Sequence, residues 1–343
     1  MMSKKIRAKA PLRIGLGGGG TDVSPYCDLH TGFILNSTID MYAYCTIEVT
    51  EADEVEFISE NLDDSVKYSS SMVLSFNGHF DLYKAIYNRV VSDFVKKPLS
   101  FKLHTYSEAP PGSGLGGSST LIVAIIKAFS EWLDLALGVY DIARLAYKIE
   151  REDLGWSGGK QDQYAATFGG FNFMEFANNN HVVVNPLGLK NWIVNELESS
   201  CFIAFTGISL ESAKVIDAQA SGVAGNKVDV IESMHQLKKD AFLMKKCLLN
   251  GEIQKMAAIL DHSWIAKKNT SSVVSNSFID EIVEAAKEAG AWACKVSGAG
   301  GGGFMIFMVD PQLKKSVMDR IQEKGVTVKN IHFTSNGAQA WTI

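Results

Sequence analysis

Apolar residues recur at two different spacings along this chain, and the switches between them mark out its elements. Phe101–Tyr106 alternates apolar and polar positions as a half-buried strand does, and Ile39–Thr50 and Val55–Ser59 read as further β segments. Phe80–Val95 has helical spacing and stops ahead of Pro98. A second helix is predicted from the apolar run that begins at Leu121 to about Leu137. A third spans Tyr140–Asp153, where Ile142, Leu145, Ala146 and Ile149 fall on one helical face. Phe171–Phe176 returns to strand character, and Asn178-Asn179-Asn180-His181 reads as a hairpin tip.

The second half repeats this alternation with longer helices. Cys201–Phe205 reads as a strand, followed by helical patterns over Lys227–Leu249, Ile253–Lys267 and Phe278–Glu288. Strands are predicted at Ala291–Val296, Phe304–Val309 and Thr327–Thr334, with a helix over Pro311–Lys324 before the last. That tail has the β-α-β order of a small α+β sandwich. No flexible linker announces a boundary, and the segment Leu187–Glu198 is where one is expected, giving domains over residues 1–190 and 191–343. No internal repeat or low-complexity tract is present.

Composition narrows the class without naming it. The 343 residues are 46% hydrophobic and 21% charged, ordinary for a globular protein. The net charge of −5 argues against a nucleic-acid partner bound through overall basicity, so an anionic ligand would need a locally basic pocket. The five cysteines are scattered with no CxxC pair, which points away from a zinc site and towards a reducing, cytoplasmic setting. The segment Met1–Pro11 has no apolar core of the signal-peptide kind, and Leu121–Phe129, broken by Lys127, is too short to span a bilayer, so no membrane partner is expected. The seven histidines share no metal-ligand spacing.

Three glycine clusters carry most of the chemistry: Gly15–Asp22, Pro110–Thr120 and Ser297–Phe307. Glycine is costly to order, so such runs need a steric reason: a left-handed turn or a group pressed against the backbone. Each cluster satisfies GxGxxG, a weak match in a glycine run. The first, with Asp40 twenty residues beyond Gly20, is the best dinucleotide candidate, but Thr21–Pro25 opens no good helix and Ala10–Arg13 makes a poor central parallel strand. The second is not a GxxxxGK[ST] loop, since no lysine follows. It does run straight into a helix, where unpaired N–H groups and the helix dipole favour an anion. Ser118, Ser119 and Thr120 at the helix start can cap it or ligate Mg²⁺. The third sits between two strands, either as a tight turn or clearing space beside a ligand.

The order of these motifs resembles the GHMP kinases, the family of galactokinase, homoserine kinase, mevalonate kinase and phosphomevalonate kinase. The resemblance covers nearly the whole chain. It rests on Pro110-Pro-Gly-Ser-Gly-Leu-Gly-Gly-Ser-Ser119, on Lys295-Val-Ser-Gly-Ala-Gly-Gly-Gly-Gly303, and on Glu150 followed by Gly159-Lys-Gln-Asp162-Gln163. It implies an α+β, two-domain fold: an N-terminal mixed α/β nucleotide-binding domain and a ferredoxin-like α+β C-terminal domain. The implied cofactors are ATP and Mg²⁺.

The same resemblance assigns roles. Asp162 becomes the base or orienter of the substrate hydroxyl, with Arg13 beside it; Pro111, Gly112, Ser113, Gly114, Leu115, Gly116, Gly117, Ser118 and Ser119 become the nucleotide loop; Ser118 and Glu150 become metal ligands. Glu150 by itself, flanked by Arg151, Glu152 and Asp153, also suits a solvated helix charge. Asp22 matches a sugar-binding aspartate, while Gly18, Gly19 and Gly20 replace the Glu-His pair of galactokinases. Gly19, Gly20, Thr21 and Asp22, together with Gly300 and Gly301, are the implied substrate wall. Lys160, by position and charge, is the candidate for holding a substrate phosphate.

Arg13–Asp22 with Gly158–Gln163 is most similar to the branch of the family that phosphorylates the anomeric hydroxyl of heptose 7-phosphate. That implies a sugar phosphate and ATP as small-molecule partners. Other readings are a fucokinase-like or other sugar-1-kinase, a silent sugar- and ATP-binding sensor, and the dehydrogenase; joint retention of Arg13, Ser118, Glu150 and Asp162 argues against the sensor.

Overall fold

The computed structural model describes residues 4–208 and 212–343. Its first half runs β1 (Lys5–Gly17), α1 (Tyr26–His30), β2 (Gly32–Val49), β3 (Glu54–Ser59), β4 (Asp64–Ser69), α2 (Asp81–Arg89), β5 (Phe101–Ser107), α3 (Gly117–Leu133), α4 (Val139–Lys148), α5 (Gln161–Phe168), β6 (Phe171–Ala177) and β7 (His181–Pro186). The second half runs α6 (Asn191–Ser200), β8 (Cys201–Phe205), α7 (Ser212–Ala224), α8 (Val228–Asn250), α9 (Ile253–Asn269), α10 (Ser277–Glu288), β9 (Ala291–Val296), β10 (Phe304–Val309), α11 (Lys314–Gln322), β11 (Thr327–Asn330) and β12 (Gln339–Thr342).

The first sheet has eight strands with the path β12-β1-β2-β5-β3-β4, and β6, carrying β7, pairs the other half of the long β2. Ala10–Arg13, read as a poor central parallel strand, lies instead in an antiparallel one: β1 sits between β12 and β2, antiparallel to both. Pro11 is tolerated because β12 pairs only Ile6–Lys9 and the register with β2 shifts between Pro11 and Arg13. Across the shift β2 runs from Tyr42 to Thr38 while β1 runs only from Pro11 to Arg13, so the extra residues lie on β2, an irregularity of the kind found beside sites.

α3 packs on this sheet through Ile122, Val123, Ile125, Ile126 and Phe129, all in one buried cluster with Ile6, Ile47, Phe57 and Phe101. Each such side chain contributes about 1.5–3 kcal/mol on leaving water. Two predicted helices turn π-helical in their last part: α2 continues as a π segment over Val90–Val95, and α4 over Ile149–Asp153.

The second sheet is antiparallel in the order β11-β8-β10-β9. Its two faces follow the period of two along β8 and β10. Phe202, Met305 and Phe307 face α10 and α11, whereas Ile203, Ile306 and Met308 face the first sheet. Phe202 and Phe307 are cross-strand partners with stacked rings 4.8 Å apart.

The face towards the first sheet shares one core with Leu12, Ile14, Leu16 and Leu35 and with α8 and α9. α6, where a boundary was expected, sinks Ile193 and Leu197 into that same core, so the halves are joined by packing rather than a linker. A division after residue 190 remains a proposal, with β12 crossing back onto the first sheet.

Candidate active site

A cleft of about 960 Å³ opens where the end of β1, the loop before α3, the start of α5 and the inner faces of α7 and α9 meet. Its size suits a small-molecule site. Arg13, Asp22, Gly112, Gly114, Ser118, Glu150 and Asp162 all line it, so residues spread over 149 positions converge on one space.

Arg13 is the hub. Just past the register shift, its guanidinium is buried, with Nε donating to Asp162 Oδ1 at 2.7 Å and Nη1 to the Gly114 carbonyl at 2.7 Å. Its backbone N–H also donates to the Leu115 carbonyl at 3.1 Å. One residue therefore ties the glycine loop to the carboxylate of Asp162, which remains partly open to the cleft. Gly116 shows why this loop needs glycine. Its φ is +77°, and a Cβ there would lie 3.1 Å from the Asp162 carboxyl carbon.

Ser118 and Ser119, on the first turn of α3, both donate to Glu150, at 2.8 and 2.6 Å. The π segment turns Glu150 inward until it is 2% exposed, which removes the reading of a solvated helix charge. Oε2 also accepts from Gln163 Nε2 at 2.6 Å, leaving Oε1 and the Ser118 hydroxyl side by side. This all-oxygen pair fits Mg²⁺, which is held through one or two carboxylates together with substrate phosphates. Among the described residues, no group of three or more His, Cys, Asp or Glu forms a metal cage. Ser113 is buried in the turn, and its carbonyl accepts from Phe304 N–H at 2.8 Å.

The first glycine cluster is held from both halves. Asp22 Oδ2 accepts the N–H groups of Lys160 and Gln161, at 2.8 and 3.0 Å, satisfying donors at the α5 N-terminus. Asp22 thus positions the turn that carries Asp162, besides lining the cleft. Thr21 is turned away, its hydroxyl exchanging hydrogen bonds with the backbone of Phe33. Gly20 lines the cleft, and the Gly19 carbonyl accepts from Lys267.

Lys160 is not brought to this cleft. Its buried ammonium points to Asp28 at 3.5 Å and lines a separate groove with Arg144, Tyr147 and Lys148; only its backbone reaches Asp22.

The third cluster meets the second, backbone to backbone. A Cβ on Gly303 would lie 2.3 Å from the Ser113 carbonyl oxygen, and one on Gly298 would lie 2.8 Å from that of Gly114. Gly298 and Ala299 line the cleft, whereas Gly300 and Gly301 turn from it onto Val274 and Asn276. The Gly301 N–H donates to the Val274 carbonyl at 2.6 Å.

Two lysines absent from the expected site lie beside it. Lys267 donates to the Gly19 carbonyl at 2.9 Å and lines the cleft, while Lys295 donates to the Gly15 carbonyl at 2.7 Å. Burial pushes Lys267 down to about 8; burial, with Lys267 and Arg13 nearby, pushes Lys295 down to about 7. The signal was in the pattern: Lys267 continues the buried stripe Met256, Leu260, Ser263 of α9, where a charge has no ordinary place. The far end of the cleft was also missed. There Leu62, Phe76, Phe80 and Tyr83 form an apolar wall, and Asn61 exchanges hydrogen bonds with the backbone of Ser107. These residues are separated in sequence from the glycine loop and share no motif with it.

Comparison with known proteins gives the family. Residues 81–170 match the GHMP kinases N terminal domain, and residues 244–327 match the GHMP kinases C terminal domain. A D-glycero-alpha-D-manno-heptose 7-phosphate kinase of Campylobacter jejuni is 51% identical over 340 residues, covering 99% of this chain and 100% of that one. A D-glycero-D-manno-heptose 1-phosphate kinase from Bacteroides thetaiotaomicron has a solved structure at TM-score 0.85 and 46% identity, covering 98% of this chain and 99% of that one. A second solved structure, from Campylobacter jejuni, gives TM-score 0.83 and 49% identity over the whole of both chains. Among the described residues, no helix is long and apolar enough to cross a membrane.

Proposed function

Because the chain belongs to the GHMP kinase family, we propose that its cleft moves the γ-phosphoryl group of ATP onto the anomeric (C1) hydroxyl of a heptose phosphate, D-glycero-D-manno-heptose 7-phosphate. The enzyme is a sugar kinase, a phosphotransferase with an alcohol acceptor. The full-length relatives support the substrate class: their names agree on a heptose and a phosphate and differ in the position they cite. The observation that carries the chemistry is the Arg13–Asp162 pair, 2.7 Å apart, over the Gly112–Ser119 loop.

Phosphoryl transfer asks for positioning and charge neutralisation more than covalent work. Asp162 accepts the hydrogen bond of the attacking hydroxyl and takes its proton as the P–O bond forms. An anomeric hydroxyl is more acidic than other sugar hydroxyls, so one carboxylate suffices. Arg13 holds that carboxylate in place from the closed side and adds positive charge near the transferring group. The loop's backbone N–H groups and the α3 N-terminus receive the nucleotide phosphates. Ser118 and Glu150 would hold Mg²⁺, which when bound neutralises phosphate charge. Leu62, Phe76 and Phe80 offer an apolar surface for the nucleobase.

The test is to incubate the protein with Mg-ATP and a panel of heptose 7-phosphate, unphosphorylated heptose, galactose and fucose, following ADP release and locating the new phosphate by ³¹P NMR. Turnover of heptose 7-phosphate with label at C1 is expected. Preferential turnover of fucose or galactose would replace the substrate, and no ADP release with any sugar would remove the kinase reading.

A further inference from the structure

Lys267 occupies an unusual position for a cation. It lies on the last turn of α9, is 5% exposed, and makes no ion pair among the described residues. Its ammonium donates to two neutral acceptors, the Gly19 carbonyl at 2.9 Å and Gln219 Oε1 at 3.3 Å. An ammonium has three donors, so one remains. Gln219 cannot turn away: its Nε2 donates to Thr270 Oγ1 at 2.7 Å, which fixes its oxygen towards the lysine. The charged neighbours are Asp22, already engaged by the α5 amides, and the cation Lys295, which has Arg13 as a further charged neighbour of its own.

Gly20 is what keeps this ammonium within reach of the cleft. Its φ is +101°, and a Cβ there would lie 3.0 Å from both Lys267 Nζ and Gln219 Oε1. Gly20, Gln219 and Lys267 all line the cavity that Asp162 lines. A buried cation with no paired anion, a spare donor and an uncovered face towards a ligand cavity calls for an anionic ligand. The nucleotide phosphates are served by the loop before α3. Lys267 is held against Gly19 and Gln219, and Asp162 against Arg13 and Gly116, so the two line one cavity from different sets of partners.

Building on the heptose phosphate reading, we infer that Lys267, oriented by Gln219 and uncovered by Gly20, binds the phosphate that the sugar substrate already carries. The same role expected of Lys160 falls to Lys267 because Lys160 turns to Asp28. The substrate phosphate becomes the third acceptor and supplies the missing counter-charge. Sugars lacking that phosphate forgo this charge-assisted contact, which is how the subsite discriminates.

The test compares wild type with Lys267→Met on D-glycero-D-manno-heptose 7-phosphate and on the unphosphorylated heptose. Loss of one charge-assisted contact should raise KM for the phosphorylated sugar roughly 10–100-fold. KM for ATP and kcat/KM for the unphosphorylated sugar should stay within about 2-fold. A second measurement needs no variant. In wild type, kcat/KM for the phosphorylated sugar should fall above pH about 8, where Lys267 loses its proton, while that for the unphosphorylated sugar stays flat. An unchanged ratio between the two sugars in Lys267→Met, or parallel pH profiles in wild type, overturns the subsite alone. Failure of the wild type to turn over heptose 7-phosphate overturns the kinase reading and the subsite with it.

Discussion

Arg13 Nε lies 2.7 Å from Asp162 Oδ1, joining β1 to the first turn of α5 across 149 residues of chain. The arginine is almost fully buried and spends its other contacts on the Gly114 carbonyl, so the pair also sets the distance between the carboxylate and the glycine loop. Its consequences for catalysis can be separated from those for folding.

Asp162→Asn keeps the shape and the Gly116 contact but removes the proton acceptor. Turnover should fall about 10²–10⁴-fold, the usual contribution of a positioned base. Binding of a non-hydrolysable ATP analogue, followed by calorimetry, should stay within a few-fold. Unchanged turnover would remove Asp162 from its proposed role.

Arg13→Lys is not a conservative change here, because one ammonium cannot reach Asp162 and Gly114 in the same fork geometry. A kcat loss of roughly 10²–10³-fold is expected, with a lower melting temperature because a buried pair is disrupted. Steady-state kinetics beside a thermal melt checks both, and wild-type values in the two measurements would contradict the hub role.

Glu150→Gln tests the proposed metal ligand. The neutral amide keeps contacts to Ser118 and Ser119 but loses the charge a hard cation needs. The Mg²⁺ concentration for half-maximal velocity should rise about tenfold or more, while the KM for the sugar changes little. A magnesium titration of velocity reads this directly, and an unshifted curve counts against Glu150.

Gly303→Ala should cost stability before it costs chemistry. Its φ is +83°, and the added carbon would sit 2.3 Å from the Ser113 carbonyl oxygen. Left-handed strain costs about 1–3 kcal/mol, with overpacking adding about as much. A melting temperature lowered by several degrees is expected, together with weaker ATP binding as the nucleotide loop moves. A melt matching wild type would show that the two loops can part freely.

Stability should depend on pH through the buried lysines. Lys295 and Lys267, pushed down to about 7 and about 8, hold fewer protons folded than unfolded. Stability therefore rises as pH increases from about 7, by at most about 1.4 kcal/mol per pH unit for each lysine. The rise should end as pH enters the thiol range. Cys27, Cys201 and Cys294 are pushed up to about 11, 12 and 12 by burial, so the unfolded chain sheds those protons first. Denaturant titrations of the ligand-free protein between pH 7 and pH 8.5 should show the slope, and Lys295→Met should reduce it to the part that Lys267 contributes. A flat wild-type profile would mean that both lysines stay charged when buried.

What the chain's residues determined by themselves was local. The period of two through Phe101–Tyr106 and the helical stripe of Ile142–Ile149 need only near neighbours, and both became the expected elements. The Gly112–Ser119 loop likewise runs into its helix at Gly117, because glycine conformations and helix starts are set within a few residues. Asp162, Arg13, Ser118 and Glu150 could be singled out through the family resemblance because each sits in a contiguous motif. Tertiary structure alone decided where side chains of similar chemistry point. Lys160 and Lys267 are both lysines near glycines, yet packing turns one to Asp28 and opens the other to the cleft beneath Gly20. Tertiary structure also gave the third glycine cluster its reason, since Gly303 is bare to admit a carbonyl 190 positions away, at Ser113. Contacts of that kind depend on how two sheets share a core, and no window of sequence contains both partners.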